Sequence, residues 1–312
     1  MYELFLTAFV NDVDFDNARS ILSSYCWSDP NPRLWRVLHF TGPAQPKHLA
    51  KRTNINGIRP APDPFMFGLP GAELPMPQAQ AGATYVDPAW KDFSEIVKKQ
   101  SYIVTARYQV SKAIDFGGGG GGPGASQQQK PLTAMPGALF WCEIPDPASV
   151  AGGQSLVMQR KKIEIWDQLN LPAVLAENEF RYRSQLVEES HDVYHRDDPL
   201  LEFSLVRHHA LPASFSAGRP SEPLPAFESL ERVDPAGKWT LWVKYHVRDD
   251  GAPEKIKAAR DALLKVRDEL APCGFDFKVL DRKVYDTQLM LQRKTPAMQT
   301  LGLKQSLGPG HR

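Results

Sequence analysis

Two stretches within residues 154–190 alternate apolar and polar side chains and are joined through Pro172. In the first stretch, one face would carry Val157, Gln159, Lys161 and Ile163, and the other Met158, Arg160, Lys162 and Glu164. In the second, one face would carry Phe180, Tyr182, Ser184 and Leu186, and the other Arg181, Arg183, Gln185 and Val187. A period of two predicts β-strands with one buried face and one polar face, which is typical of antiparallel sheets. The charges on these strands would line either a sheet surface or a polar tunnel.

Similar patterns elsewhere predict further strands and a few helices. Strands are predicted at residues 2–10, 34–40, 102–110, 138–144, 201–208, 239–247, 275–279 and 284–292. Apolar residues at helical spacing predict helices that begin near Asp14 or Asp16, at Pro88 and at Pro253. Strands and helices do not alternate regularly, which argues against a doubly wound sheet or a TIM barrel. We therefore predict a mainly β (α+β) fold, a many-stranded antiparallel β-barrel with two or three flanking α-helices, because closure removes exposed strand edges.

Three stretches interrupt this pattern with Pro, Gly, Ala or Gln. They predict insertions at residues 45–84, 117–136 and 213–226 within a single domain of residues 1–294, and a flexible tail at residues 295–312. The glycine run at residues 117–122 lacks the Gly-Lys-Ser/Thr triplet and the following helix of a phosphate-binding loop. A linker is the better interpretation of that run.

Composition narrows the class of protein. The chain has 312 residues and a net charge of +1, so no overall field draws it to nucleic acid or to an anionic membrane. No apolar stretch is long enough to span a bilayer, which predicts a soluble intracellular protein. Its three cysteines, Cys26, Cys142 and Cys273, have no paired spacing, and we interpret each as a small buried apolar residue.

A polar-lined barrel acting on polyphosphate is the strongest catalytic alternative. Such a site needs inward-pointing cations for phosphate oxygens and paired carboxylates for a divalent metal. Candidate cations are present at Arg160, Lys162, Arg181, Arg183, Arg207, Lys244, Lys278, Arg282 and Lys283. The candidate acids Glu3, Glu143 and Glu164 stand alone on their strands, and the neighbours Glu188 and Glu189 would face opposite ways. We therefore interpret the cations as a solvated or partner-facing sheet surface, and keep a metal-dependent tripolyphosphatase as an alternative.

Histidine pairs and a basic cluster suggest two further kinds of site. His191 and His195 lie four residues apart, but the polar turn around them does not predict the helix that a shared metal would need. His208 and His209 would point to opposite faces of a strand, and one of them would lie on the surface. The cluster of residues 160–162 leaves a nucleic-acid-binding barrel as another alternative, although acids follow it at once.

Three segments read MYELFLTAFVNDVDFDNARSILSSYC, QRKKIEIWDQLNLPAVLAENEFRYRSQLVEE and DALLKVRDELAPCGFDFKVLDRKVYDT. Together they resemble the subunit 18 family of the Mediator complex, the coactivator of RNA polymerase II. The resemblance implies a many-stranded antiparallel barrel with flanking helices, similar in architecture to triphosphate-tunnel enzymes. It also implies a nuclear, non-catalytic subunit of the head module, with no catalytic, cofactor-binding or metal-binding residue to carry over.

The resemblance implies specific partners as well. These are Mediator subunit 20 in a heterodimer, a C-terminal helix of Mediator subunit 8 as a tether, other head-module subunits, and RNA polymerase II in the larger assembly. No cofactor, membrane or direct nucleic-acid contact is expected. A partner helix would need an apolar groove, and Trp166 and Trp242 are candidate residues for one, although each is also explained by core packing.

Overall fold

Eight antiparallel strands close into a ring within the part of the chain that the structure describes. The computed structural model describes residues 1–42, 88–97, 103–117, 131–147, 156–212, 215, 220, 224–248 and 252–280. Its strands are β1 (Tyr2–Val10), β2 (Asn31–Thr41), β3 (Ile103–Val110), β4 (Gly137–Cys142), β5 (Asp146–Pro147), β6 (Met158–Gln168), β7 (Arg181–Tyr194), β8 (Leu201–Ala210), β9 (Glu231–Arg232) and β10 (Trp239–Val247). The α-helices are α1 (Phe15–Cys26), α2 (Pro88–Val97), α3 (Leu171–Glu177) and α4 (Pro253–Leu270).

The strand order around the ring is β1-β10-β8-β7-β2-β3-β4-β6, and β6 returns to β1. The closing pair β1–β6 joins four residue pairs, whereas β1 and β10 pair along nine. The short strands β5 and β9 add to the outer edges of β6 and β8. The prediction of a mainly β (α+β) antiparallel barrel with flanking helices is confirmed.

The apolar core lies outside the barrel, between the strands and the helices. One cluster packs α1 and α4 against β1, β10 and β8, with Leu22, Leu263 and Phe203 among its members. A second packs α2 and α3 against β2, β3, β4 and β6 around Phe93 and Leu171. Because the apolar face of each strand points outward to this cover, the alternate polar face must point into the barrel.

The longest helix follows its sequence pattern closely. Ala259, Leu263, Val266 and Leu270 are the buried residues of α4, at spacings of three and four. Gly274 ends the segment with a φ of +92°, a left-handed conformation that glycine adopts without strain. Within the described residues, no helix is long and apolar enough to cross a membrane.

The structure adds or changes several elements. The short helix α3, with Pro172 in its first turn, occupies the connection that the alternating pattern treats as a joint. The predicted strand at residues 275–279 is wrong in detail, because Phe277 forms an isolated bridge with Ala8 and no extended ladder follows. The predicted strand at residues 284–292, the insertion at 45–84 and the tail at 295–312 lie outside the described residues.

Some residues at the ends of the predicted insertions are described and packed. Phe116 bridges Leu224, the Gly117 N–H donates to the Leu224 carbonyl at 2.8 Å, and Leu132 is buried. The division into one domain with three insertions stays a prediction. Of the three cysteines, Cys26 is buried, but Cys142 and Cys273 are exposed, so the prediction of burial is wrong for those two.

Candidate functional site

The interior of the barrel is a polar cavity of about 690 Å³. All eight ring strands contribute alternate side chains to its wall. Among the described residues, its lining contains six cations and six carboxylates. The cations are Arg33, Arg107, Arg160, Lys162, Lys244 and Arg248, and the carboxylates are Glu3, Glu143, Glu164, Glu188, Asp192 and Glu202. The lumen is therefore nearly neutral, with charges of both signs packed closely together.

Glu3 lies at the seam where β1 meets β6. Its side chain is 3 % exposed, and its two oxygens accept bonds from Arg160 Nε at 2.8 Å and Lys162 Nζ at 2.8 Å. Burial alone would raise the pKa of Glu3, but Arg160 and Lys162 outweigh it and hold that pKa well below its ordinary value. Lys162 Nζ also lies 2.8 Å from Glu164, so one ammonium bridges two carboxylates from neighbouring strands.

A second charged group links β8 and β10. Glu202 accepts from Lys244 Nζ at 2.8 Å and contacts His246 Nε2 at 2.7 Å, while Ser204 donates to the same carboxylate at 2.7 Å. Burial opposes ionisation of both partners, yet each charge stabilises the other. The pKa of Glu202 is accordingly lowered and that of Lys244 is raised.

Two lumen arginines lie against aromatic rings. Arg107 pairs with Glu188, and its guanidinium carbon lies 5.2 Å from the Trp35 ring centre and 5.0 Å from that of Phe140. Arg160 lies 5.0 Å from the Phe5 ring centre and 5.5 Å from that of Trp242. Each arginine thus combines a carboxylate partner with cation–π contacts, an arrangement for which lysine is a poor substitute.

The lumen corrects the interpretation of the basic residues as a sheet surface. Arg160, Lys162 and Lys244 line the interior, and so cannot form a surface stripe for nucleic acid. By contrast, Arg181 and Arg183 are exposed, and Arg207 joins Asp12 and Glu189 outside the barrel. Lys278 is also exposed, while Arg282 and Lys283 lie outside the described residues.

The carboxylates follow the predicted directions but meet across strands. Glu188 points inward to Arg107 and His208, whereas Glu189 points outward to Arg207 and His209, so the prediction that they face opposite ways is confirmed. Glu3 and Glu164 form a pair around Lys162. The spacing of acids within one strand does not reveal this pair, because the two acids come from β1 and β6. Across the described residues, no group of three or more His, Cys, Asp or Glu could hold a metal ion.

The histidines have local partners. His191 packs edge-on against Phe15 and Trp239 at 5.0 and 5.6 Å between ring centres, and His195 packs against Tyr25 at 5.6 Å. His208 and His209 do face opposite sides, as predicted. Neither is a free surface group, however, because His208 lies in the lumen and His209 is buried beside Glu189.

A groove between α1 and α4 is the site that the sequence did not reveal. Its wall includes Ile21, Tyr25, Val266 and Leu270, and Trp27 stands beside them with 74 % of its surface exposed. Trp27 caps α1 with a φ of +54°, and at the other side of the groove the Tyr25 hydroxyl lies 2.5 Å from Glu269. The predicted groove residues lie elsewhere, since Trp242 contacts Phe5 and Trp166 is part of the wall of the lumen.

Comparisons with known proteins identify the family. The sequence profile of the Med18 protein family matches residues 123–288, which is more than half of the chain. The chain belongs to the Med18 family. As a member, it is a subunit of the multi-subunit Mediator assembly, which acts in transcription, and the predicted resemblance to the Mediator subunit 18 family is confirmed.

One solved structure supports the same fold. A chain in the structure of the Schizosaccharomyces pombe Mediator head module is similar, with a TM-score of 0.55 and 11 % identity over 90 % of this chain and 99 % of that one. The PH1819 protein from Pyrococcus horikoshii OT3 aligns over 94 % of this chain and 99 % of its own at 12 % identity. Its TM-score of 0.41 is too low to support an argument. No individually curated protein matches the chain.

Proposed function

We propose that this Med18-family protein is a non-catalytic structural subunit of the Mediator head module, located in the nucleus, that supports regulation of RNA polymerase II transcription. It would form a heterodimer with subunit 20, and a C-terminal helix of subunit 8 would tether the pair to the other head-module subunits. Membership of the Med18 family and the fold shared with a head-module chain support this proposal.

The α1–α4 groove is the observation that carries it. An amphipathic helix buries its apolar stripe in such a groove, and Trp27 and Tyr25 offer the large aromatic surfaces that dominate binding energy at interfaces. An exposed Trp side chain does not stabilise the isolated chain, because its ring stays in water. A partner that covers the ring buries a large apolar surface, and that burial favours binding. We therefore assign this groove to the helix of the tethering subunit.

Co-expression with tagged subunits 8 and 20 tests the assignment. We expect recovery of a three-chain complex, and we expect Trp27→Ala to weaken capture of the subunit 8 helix by at least tenfold, since truncation of a central aromatic anchor costs about 2 kcal/mol or more. Val13→Ala is the matched control, because Val13 is 90 % exposed and lies outside the groove. If the Trp27→Ala protein captured the subunit 8 helix as well as the wild type does, the assignment of the groove would be refuted. Recovery of the chain without subunits 8 and 20 would refute the proposed complex.

The arrangement of the lumen supports a non-catalytic role. A metal-dependent phosphohydrolase needs carboxylates that are free to hold a divalent cation. Here the Lys162 ammonium occupies the position between Glu3 and Glu164, and Glu188 and Glu202 also have cationic partners. The paired interior charges thus have a structural role, because Glu3–Arg160, Glu3–Lys162, Arg107–Glu188 and Lys244–Glu202 each join two strands.

A tripolyphosphatase remains the second candidate because cations do line the lumen. Phosphate release from tripolyphosphate with manganese or magnesium tests it. We expect no release above buffer from protein whose circular dichroism shows a folded barrel. Turnover that disappears in both Glu3→Gln and Lys162→Met would establish the enzyme and contradict the structural role.

A further inference from the structure

A β-bulge interrupts the pairing of β2 and β7 where β2 ends and β7 begins. His39 pairs with Ser184 and Phe40 pairs with Tyr182, so Arg183 is the extra residue on β7. The bulge also reverses the side of Tyr182, which packs with Phe40 outside the barrel, while Leu186 lines the lumen. Bulges re-aim side chains and are frequent beside functional sites.

The bulge places one arginine on the Thr41 hydroxyl and a second directly opposite Thr41 in the ladder. Arg183 Nε donates to Thr41 Oγ1 at 3.1 Å, which leaves the two terminal nitrogens of its guanidinium available. Arg181 is directly opposite Thr41 in the ladder, and residues opposite each other in an antiparallel pair share a face with Cβ atoms about 5 Å apart. Thr41 is half-buried, and both arginines are exposed.

These two cations differ from three arginines on other strands of the ring. Arg107, Arg160 and Arg207 each have a carboxylate partner. Within the described part of the chain, neither Arg181 nor Arg183 has a carboxylate within 4.0 Å. Thr41 thus contacts Arg183 and has Arg181 as its ladder partner, and among the described residues neither cation has a carboxylate partner, so a dianion on the Thr41 oxygen would be stabilised.

We propose that Thr41 is a phosphorylation site whose phosphoryl group is bound by Arg181 and Arg183. A protein kinase would transfer the γ-phosphoryl group of ATP to Oγ1. The new Oγ1–P bond replaces the P–O bond to ADP, ADP leaves, and the hydroxyl proton passes to the catalytic base of the kinase. The phosphate would add about −1.5 to −2 charges and accept bonds from both guanidinium groups, which would tie the end of β2 to β7.

The full-length chain carrying genetically encoded phosphothreonine at position 41 tests the binding geometry by phosphorus-31 NMR. The second pKa of a free phosphothreonine is about 6, and we expect the arginines to lower that pKa by at least about 0.5. Arg181→Gln together with Arg183→Gln should return it to about 6. Phosphoserine at Ser28, exposed and beside Asp29, is the control with an unlowered pKa. The proposal would be overturned if the phosphate pKa at position 41 were not lowered, or if it were the same with and without the two arginine substitutions.

The source of the phosphoryl group is tested separately. Mass spectrometry of the Mediator complex isolated from its own cells should find phosphate on Thr41. Titration of the unmodified chain with inorganic phosphate should give no saturable binding at millimolar concentration. The proposal would be contradicted if inorganic phosphate bound saturably, if this binding required both arginines, and if Thr41 carried no phosphate in cells. The two arginines would then form a site for free phosphate.

Discussion

Replacement of Glu3 by Gln tests whether the lumen charges hold the barrel together. Glu3 is the carboxylate at the closing seam, where β1 and β6 share four residue pairs. Gln keeps the shape of the side chain but removes the charge and turns an NH₂ group toward Arg160 or Lys162, both of which are donors only. The substitution thus leaves two cations beside an uncharged group at the seam.

The expected cost follows from the burial of this group. Glu3 is 3 % exposed and Lys162 is 6 % exposed, so solvent screens their interaction little. Removal of one partner from a buried ion pair costs about 3–5 kcal/mol, and we expect the lower figure because Lys162 keeps Glu164 as a partner at 2.8 Å while Arg160 loses the Glu3 charge. Since domains are stable by about 5–15 kcal/mol, the Glu3→Gln protein should lose a large part of its free energy of unfolding.

Urea unfolding followed by tryptophan fluorescence measures the change. Asp16→Asn is the matched control, because the Asp16–Arg19 pair on α1 is 3.8 Å long and its side chains are 88 % and 47 % exposed. Its loss should cost no more than about 0.5 kcal/mol. A Glu3→Gln protein within about 1 kcal/mol of the control would refute the reasoning.

Three further outcomes follow, two from the lumen and one from the apolar cluster outside the barrel. Arg107→Lys should destabilise the fold by about 1–2 kcal/mol in thermal unfolding, because lysine loses the planar contact with two rings, whereas the exposed Arg19→Lys should change little. Burial would raise the pKa of Glu188, but its cationic neighbours lower it from 4.5 to about 2. The ionised Glu188 should therefore add about 3 kcal/mol to the free energy of unfolding above pH 4.5, and this contribution should be lost as the pH falls toward 2. Urea unfolding at several pH values should show a smaller loss of stability at low pH for Glu188→Gln than for the wild type. Gly137→Ala would place a Cβ 2.6 Å from the buried Tyr108 ring and should cost about 1–3 kcal/mol by denaturant unfolding, while an unchanged midpoint would contradict the tight contact.

The strands were predictable because alternation is a local property of the sequence. The run that became β6 shows the period of two, and its polar positions Arg160, Lys162 and Glu164 do share one face. Alternation separates the two faces of a strand but does not say which one points inward. That direction depends on the helices, since α2 and α3 cover the apolar face of β6 from outside. The assumption that the polar face of each strand points to solvent outside the barrel was therefore wrong for β6.

The charged pairs were not predictable for a related reason. Glu3 and Lys162 are 159 positions apart in the chain and meet because β1 closes the ring against β6. No spacing rule within one strand reveals such a contact. The bulge at Arg183 likewise depends on pairing with β2, and it changes the side of Tyr182 from the one that a continuous alternation predicts. Long-range register is the information that sequence periodicity lacks.

The inverted polarity of the barrel gives a physical reason for its role in an assembly. A barrel with an apolar interior hides its core by closure alone, but this one presents its apolar face outward and depends on α1, α2, α3 and α4 to cover it. Wherever such a cover ends, apolar surface reaches solvent, as Trp27 does at the end of α1 beside the groove. A partner helix laid there would extend the cover that α1 and α4 begin, and would gain the burial of surface that the lone chain leaves wet. The charged lumen and the partner-binding exterior are thus two consequences of one orientation of the strands.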